Sequence, residues 1–268
     1  MSAVDMLKAA HAALVTRTAP TPVVFHHVPK CGGTSVGRAL RSRYLLSQAT
    51  VTPEESFQAF ERYTGRTDRE AMLVDVIALR QQMMLYHLLH GVRCVSAHVP
   101  YASAMRDVSS LDYRFITILR EPVERFISHY FWSHGKLGAH GRIEETLEAF
   151  LDTPRARRLG AAYVEFFCGD PMRDDLHAPE AIENAVANLR QFDVVGRLDD
   201  LPAFERHLKG ALGVRVRIGR ENRARDPGRS GRAEIAPELR ARIETLCAPD
   251  LAVWRAVANG PAAHEAVQ

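Results

Sequence analysis

The chain has 268 residues, of which 46% are hydrophobic and 25% are charged, and its formal net charge is +3. This length suits one large α/β domain with a substantial core, and the small net charge argues against nucleic-acid binding. The four cysteines are widely spaced without a CxxC pair, which indicates neither a disulfide framework nor a zinc site and favours a reducing compartment.

The first part of the chain predicts a strand, a helix and a helical segment, in that order. They lie at Thr21–Val28, at Thr34–Arg43 and between Pro53 and His90. Before them, Asp5, Lys8 and His11 interrupt the only apolar stretch, which makes a poor signal peptide, and no run is long enough to span a membrane. We therefore expect a cytoplasmic protein with a helical insertion at about residues 53–90, which could pack on the core or on a second chain as a homo-oligomer.

The rest of the chain continues to alternate strand and helix signals, which is typical of an α/β fold. Further strands are predicted at Val92–Ala97, at Tyr113–Leu119, at the start of FDVVGRLDDLPAF (192–204) and at Val214–Ile218. Helices are predicted through Phe126 and Tyr130, at Ile143–Leu151, at Arg155–Phe167, at Pro179–Gln191, after the fourth strand, and from Pro237 through Trp254. We predict a single domain over residues 1–268, a P-loop-like three-layer sandwich in which helices flank a central parallel sheet.

The sharpest motif lies where the first strand ends and a helix begins. It consists of Pro29, Lys30, Cys31, Gly32, Gly33, Thr34 and Ser35. Glycines let the backbone approach a phosphate, the N-terminus of the following helix favours negative charge, and the two hydroxyls can donate further hydrogen bonds. The motif is not a Walker A loop, because the lysine precedes the glycines. A plain strand-to-helix turn with an exposed lysine is the alternative.

The segment HVPKCGGTS resembles the 5′-phosphosulfate-binding loop of the sulfotransferases that use 3′-phosphoadenosine 5′-phosphosulfate (PAPS), especially their carbohydrate O-sulfotransferase branch. The segment REPVERFISHY is similar to the 3′-phosphate-binding segment of that family, and Arg120 and Ser128 match its arginine and serine. A guanidinium and a hydroxyl suit a phosphate group. Arg125 could instead be a solvated helix residue or pair with Glu121 or Glu124.

A third segment, the basic loop at 220–232, holds five arginines and precedes a helical segment as the donor-covering loop of the family does. Arg220 and Arg223 are its candidates for donor binding, although a solvated charged loop is an equal alternative. The resemblance implies PAPS as the donor, no metal, and Lys30 beside the bridging oxygen that gains negative charge in transfer. The implied acceptor is a hydroxyl on a sugar, a glycolipid or a small metabolite.

His98 is the candidate catalytic base, because it follows a predicted strand and an imidazole accepts a proton near neutral pH. The alternatives are a histidine with a purely structural role, a glutamate, and either His26 or His27. Neighbouring strand residues point to opposite faces, so at most one of those two faces the donor. Two other functions remain open, namely a phosphoryl transferase and a nucleotide-binding module without turnover.

Overall fold

The computed structural model describes residues 2, 4–7, 20–69, 71–106, 108, 112–136, 141–170, 175–219 and 235–258. These residues form five strands: β1 at Val23–His26, β2 at Gln48–Val51, β3 at Cys94–Ala97, β4 at Arg114–Leu119 and β5 at Val194–Arg197. All the strand pairs are parallel, and the order across the sheet is β2-β3-β1-β4-β5.

The middle strand β1 and its neighbour β3 are buried along their whole length. Short apolar runs of this kind form parallel strands with both faces covered. Phe25 and His27 share one face of the sheet, and their ring centroids lie 5.5 Å apart. The helix that begins at Gly33 packs beside Phe25 on this face. His26 faces the other side, where it meets an aromatic cluster that includes Phe115 and Phe192. The predicted α/β three-layer sandwich is therefore confirmed.

The described helices are α1 at Gly33–Arg41, α2 at Pro53–Thr64, α3 at Leu73–Leu89, α4 at Pro122–His134, α5 at Leu147–Phe150, α6 at Pro154–Gly160, α7 at Ala162–Phe167, α8 at Pro179–Leu189, α9 at Leu201–Leu212, α10 at Pro237–Leu246 and α11 at Ala248–Ala258. Several begin at a proline, including α2, α4, α6 and α8. Proline suits the first helical turn because its missing N–H would have no intrahelical partner there. The helices α2 and α3 connect β2 to β3, and α3 packs against both strands.

One strand prediction is wrong, since the described residues at Val214–Ile218 contain no strand. Val216 is fully buried, and the backbone N–H of Ile218 donates to the Glu205 carboxylate at 2.6 Å. A side chain thus takes a hydrogen bond that a neighbouring strand would otherwise accept. The strand that completes the sheet is β2, an edge strand in which Val51 alone is buried, and its short sequence lacks the strand signal.

Candidate active site

Three segments meet at the carboxyl edge of the sheet because the strands are parallel and β1 lies between β3 and β4. The end of β1 at His26 is in register with both neighbours. Lys30 follows β1, His98 follows β3, and Arg120 follows β4. Open parallel sheets bind ligands at this edge, next to the strand where the winding of the chain reverses.

The loop after β1 has an unusual backbone. Lys30 has φ 68° and is the one non-glycine residue with positive φ in the part of the chain that the structure describes. A left-handed conformation costs a non-glycine residue about 1–2 kcal/mol, and such strain is concentrated at functional sites. Gly32 also has positive φ, and it precedes α1 without any side-chain cap at the helix N-terminus. The loop therefore presents a lysine and the first turn of a helix together.

The side chains of this loop differ in exposure. Cys31 is fully buried, whereas Thr34 is exposed and Ser35 is half-buried. The Cys31 thiol lies 3.5 Å from the Tyr163 hydroxyl, so it faces the protein interior. The loop can thus offer its backbone and its two hydroxyls to a ligand, while the cysteine side chain anchors it. Pro29 is half-buried at the start of the turn.

The glycine at the start of α1 is pressed against a histidine. A methyl group added at Gly33 would lie 2.6 Å from the Cγ of His27 and closer still to two other atoms of that ring. His27 in turn stacks on His98, with ring centroids 3.7 Å apart and ring planes tilted by 36°. His26 is excluded from this face, since its Nδ1 lies 3.2 Å from the backbone oxygen of Val99 on the other side. The loop, His27 and His98 therefore form one packed stack.

Both stacked histidines are neutral at neutral pH. Burial lowers the pKa of His98 to about 4, against the opposing effect of a hydrogen bond to the His27 backbone. Burial and then the neighbouring His98 lower the pKa of His27 to about 2. A neutral imidazole can accept a proton, as a catalytic base must. The Nδ1 atom of His98 is buried without a hydrogen-bond partner.

A wall of the site is built by α4 and the residues after it, where the sequence motifs did not indicate Trp132 or Lys136. The Lys30 ammonium lies 4.8 Å from the centre of the Trp132 indole ring, and Lys136 lies 3.7 Å from the same centre. Burial, and then the nearby charges of Arg125, Lys30 and Lys136, lower the pKa of His129 to about 3. Two cations held against one aromatic ring give this wall a positive field, which suits an anionic ligand.

The predicted 3′-phosphate segment also lies at this edge. Arg120 directly follows β4, and its guanidinium approaches the Glu124 carboxylate at 3.7 Å. Ser128 is almost fully buried on α4. The side chain of Glu121 caps α4 by accepting hydrogen bonds from Val123 and Glu124. This cap stabilises the turn between the arginine and the helix that carries the serine.

Neither sequence interpretation of Arg125 is correct. Its side chain is 1% exposed, and its ion-pair partner is Asp250 of α11 at 3.6 Å rather than a nearby glutamate. Glu124 pairs with Arg120 and with Arg240 of α10 instead. Arg125 therefore belongs to the interior beside the site.

The basic loop at 220–232, with Arg220 and Arg223, lies outside the described residues. Among the residues that are described, no group of three or more histidine, cysteine, aspartate or glutamate side chains could hold a metal ion. Within the same ranges, no helix has the length and apolar character that crossing a membrane requires.

These features define an α/β protein with a glycine-containing strand-to-helix turn after the middle strand of a parallel sheet. A model of the sulfotransferase family matches residues 15–227, which include β1 to β5 and the loops that follow them. The chain therefore belongs to the sulfotransferase family, whose members transfer sulfuryl groups. A search among curated proteins found no match.

Proposed function

We propose that the protein transfers a sulfuryl group from PAPS to the hydroxyl group of an acceptor. One observation carries the proposal, namely that the loop of Lys30 lies between Arg120 on one side and His98 on the other. A donor with phosphates at both its 5′ and 3′ positions needs two separate anion sites, and the acceptor needs a base beyond the sulfuryl group. The strand order supplies these groups side by side.

On the donor side, the loop from Pro29 to Ser35 holds the 5′-phosphosulfate through its backbone N–H groups and its hydroxyls. Arg120 and Ser128 hold the 3′-phosphate, since a guanidinium forks two donors onto phosphate oxygens. Arg220 and Arg223 cover the donor from the basic loop. The positive wall formed by Trp132 with its two lysines supports this orientation of a highly charged nucleotide.

In the transfer step, the acceptor oxygen attacks the sulfur atom while its proton passes to His98. The bond between sulfur and the bridging oxygen breaks, and 3′-phosphoadenosine 5′-phosphate (PAP) leaves. The Lys30 ammonium lies beside the bridging oxygen and stabilises the negative charge that grows there. No metal takes part in this scheme, because the lysine and the helix N-terminus carry out the electrostatic stabilisation.

The acceptor is a hydroxyl on a sugar, a glycolipid or a small metabolite. The likeness of HVPKCGGTS to the carbohydrate O-sulfotransferase branch supports a sugar first. Burial lowers the pKa of His98 to about 4, so the imidazole is neutral and can accept a proton at neutral pH, although it is a weaker base than an ordinary histidine.

The function is tested by calorimetry with PAP, adenosine 5′-phosphate (AMP) and ATP, followed by transfer of radiolabelled sulfate from PAPS to a panel of sugars, glycolipids and phenols. We expect PAP to bind more tightly than AMP and ATP, and at least one hydroxyl acceptor to be labelled. Preference for ATP with transfer of phosphate would instead identify a phosphoryl transferase. Tight PAP binding without labelling of any acceptor would favour a binding module.

With a working acceptor, His98→Ala should lower turnover by about 10²–10⁴ and leave PAP affinity unchanged, because the base touches the acceptor and not the nucleotide. Wild-type turnover should stay nearly constant on acidification through about pH 6.5, since a base with a pKa of about 4 is still neutral there. His90→Ala is the matched control, because His90 is an exposed histidine at the far end of α3. A fully active His98→Ala variant would shift the role to His27 or to a glutamate.

A further inference from the structure

Tyr163 of α7 is fully buried, and its hydroxyl joins the two segments assigned to the donor phosphates. It accepts a hydrogen bond from the backbone N–H of Arg120 at 2.9 Å and donates one to the backbone oxygen of the same residue. On its other side lies the Cys31 thiol at 3.5 Å. Burial raises the pKa of Cys31, so the thiol keeps its proton, and both the hydroxyl and the backbone oxygen of Pro29 lie within its reach as acceptors. The hydroxyl thus uses its one donor and one of its two acceptor positions on Arg120 and contacts Cys31 on its other side.

The tyrosine itself is held firmly. Its backbone N–H donates to the carboxylate of Asp250 at 2.8 Å, and that carboxylate pairs with Arg125. The Arg125 guanidinium lies over the Tyr163 ring, 5.5 Å from its centre. Asp250 is completely buried and Arg125 almost so, which makes movement of either group costly. The hydroxyl therefore has a fixed position between the loop after β1 and the loop after β4.

The distance between the two phosphate sites matters because PAP carries two phosphate groups and binds both sites at once. When two groups of one ligand bind two sites, the second contact gains from the first only if the separation of the sites matches that of the groups. The Cys31 thiol belongs to one site and the Arg120 backbone to the other, and both contact one hydroxyl that neither loop supplies. Loss of that hydroxyl leaves each phosphate site intact, but the distance between the two sites is no longer fixed.

We propose that Tyr163 is a positioning residue whose hydroxyl sets the distance between the 5′-phosphosulfate site and the 3′-phosphate site. This inference rests on the proposed use of PAPS. Tyr163 of α7 would then account for a preference for nucleotides that carry phosphates at both the 5′ and the 3′ positions.

The test compares wild type with Tyr163→Phe, which keeps the ring over Arg125 and removes only the hydroxyl. Calorimetry with PAP measures binding to both phosphate sites, whereas AMP and adenosine 3′-phosphate measure the 5′ site and the 3′ site separately. We expect PAP to bind about tenfold more weakly to the variant, the effect of about one hydrogen bond, while each monophosphate changes by less than about twofold. The matched control is Tyr113→Phe, because the Tyr113 hydroxyl donates to the backbone oxygen of Val92 near the start of β4, away from the site. Its binding should equal that of wild type.

A second comparison separates positioning from general support of the fold. Once Arg120→Ala has removed the 3′-phosphate contact, Tyr163→Phe should weaken PAP binding no further. A purely structural tyrosine would lower the affinity for all three nucleotides, in both backgrounds, and that result would overturn the inference. If Tyr163→Phe unfolds, Cys31→Ala leaves the tyrosine in place and should show the same selective loss on a smaller scale. Equal binding of PAP and AMP by wild type would refute the proposed donor instead.

Discussion

The stack of Gly33, His27 and His98 makes Gly33→Ala an informative substitution. The added methyl group would start 2.6 Å from the His27 Cγ, whereas carbon atoms in contact lie about 3.5–4.0 Å apart. Two other atoms of the ring would lie closer still, so His27 must shift by more than about 1 Å, and since its ring lies against that of His98, the shift passes to the proposed base. Overpacking of this kind costs about 1–3 kcal/mol, and a displacement of about 1 Å at a catalytic group costs about 10²-fold in rate.

The assay combines urea unfolding with turnover of a labelled acceptor. Gly210→Ala is the control, because no atom lies within 4 Å of a methyl group added there and alanine is the better helix former inside α9. We expect Gly33→Ala to lose stability and about two decades of turnover, and Gly210→Ala to gain slightly in stability at unchanged turnover. Adding His27→Ala should restore the stability of the Gly33 variant because it removes the clash. Wild-type stability and turnover in Gly33→Ala alone would refute the reasoning.

Three further predictions concern charge. Lys30→Ala should lower turnover far more than PAP affinity, because the Lys30 charge acts mainly in the transition state, as the bridging oxygen leaves. A near-normal rate of the variant in steady-state kinetics would show that Lys30 has no part in the mechanism. Arg120→Ala should reduce the preference for PAP over AMP by one to two decades, the worth of a charge-assisted contact of about 1.5–3 kcal/mol, and calorimetry showing an unchanged preference would contradict its assignment. Burial lowers the pKa values of His26 and His98 to about 4, whereas a histidine in the unfolded chain has a pKa of about 6.5. Between these two pH values the unfolded state takes up protons that the folded state does not. The free energy of unfolding therefore decreases as the pH falls from about 6.5 to 4. Each histidine contributes about 1.4 kcal/mol per pH unit to the slope of the free energy of unfolding against pH. In urea titrations at successive pH values, His26→Phe should lower this slope by that amount. An unchanged slope would rule out the contribution of His26.

Much of the sheet could be predicted because its inner strands are apolar runs with clear ends. The strands β1, β3 and β4 were found, and their parallel arrangement brings Lys30 and Arg120 to one edge. The edge strand β2 was missed, since an edge strand is only partly buried and carries little apolar signal. At Val214–Ile218 the alternation of residues was present, but none of the strands in the described part of the chain pairs with it.

The site was predictable where its residues are neighbours in sequence, as in the loop from Pro29 to Ser35. Tyr163 and Asp250 carried no local signal, because their partners are far away along the chain and become close only after folding. The same reason explains the error at Arg125. Its sequence neighbours include glutamates, which favoured a surface pair, and only the packing of α11 reveals the buried carboxylate.

The helices α10 and α11 lie beyond residue 227, where the match to the family model ends. Yet α11 provides Asp250, whose carboxylate is the buried counterion of Arg125. A cut before α10 would remove this counterion together with Ile243 and Val253, two fully buried core residues, and would expose the apolar side chains packed against them. A recombinant fragment cut at the family boundary would therefore be prone to aggregate on expression, and truncations or chimeras of this enzyme should keep the chain through Ala258.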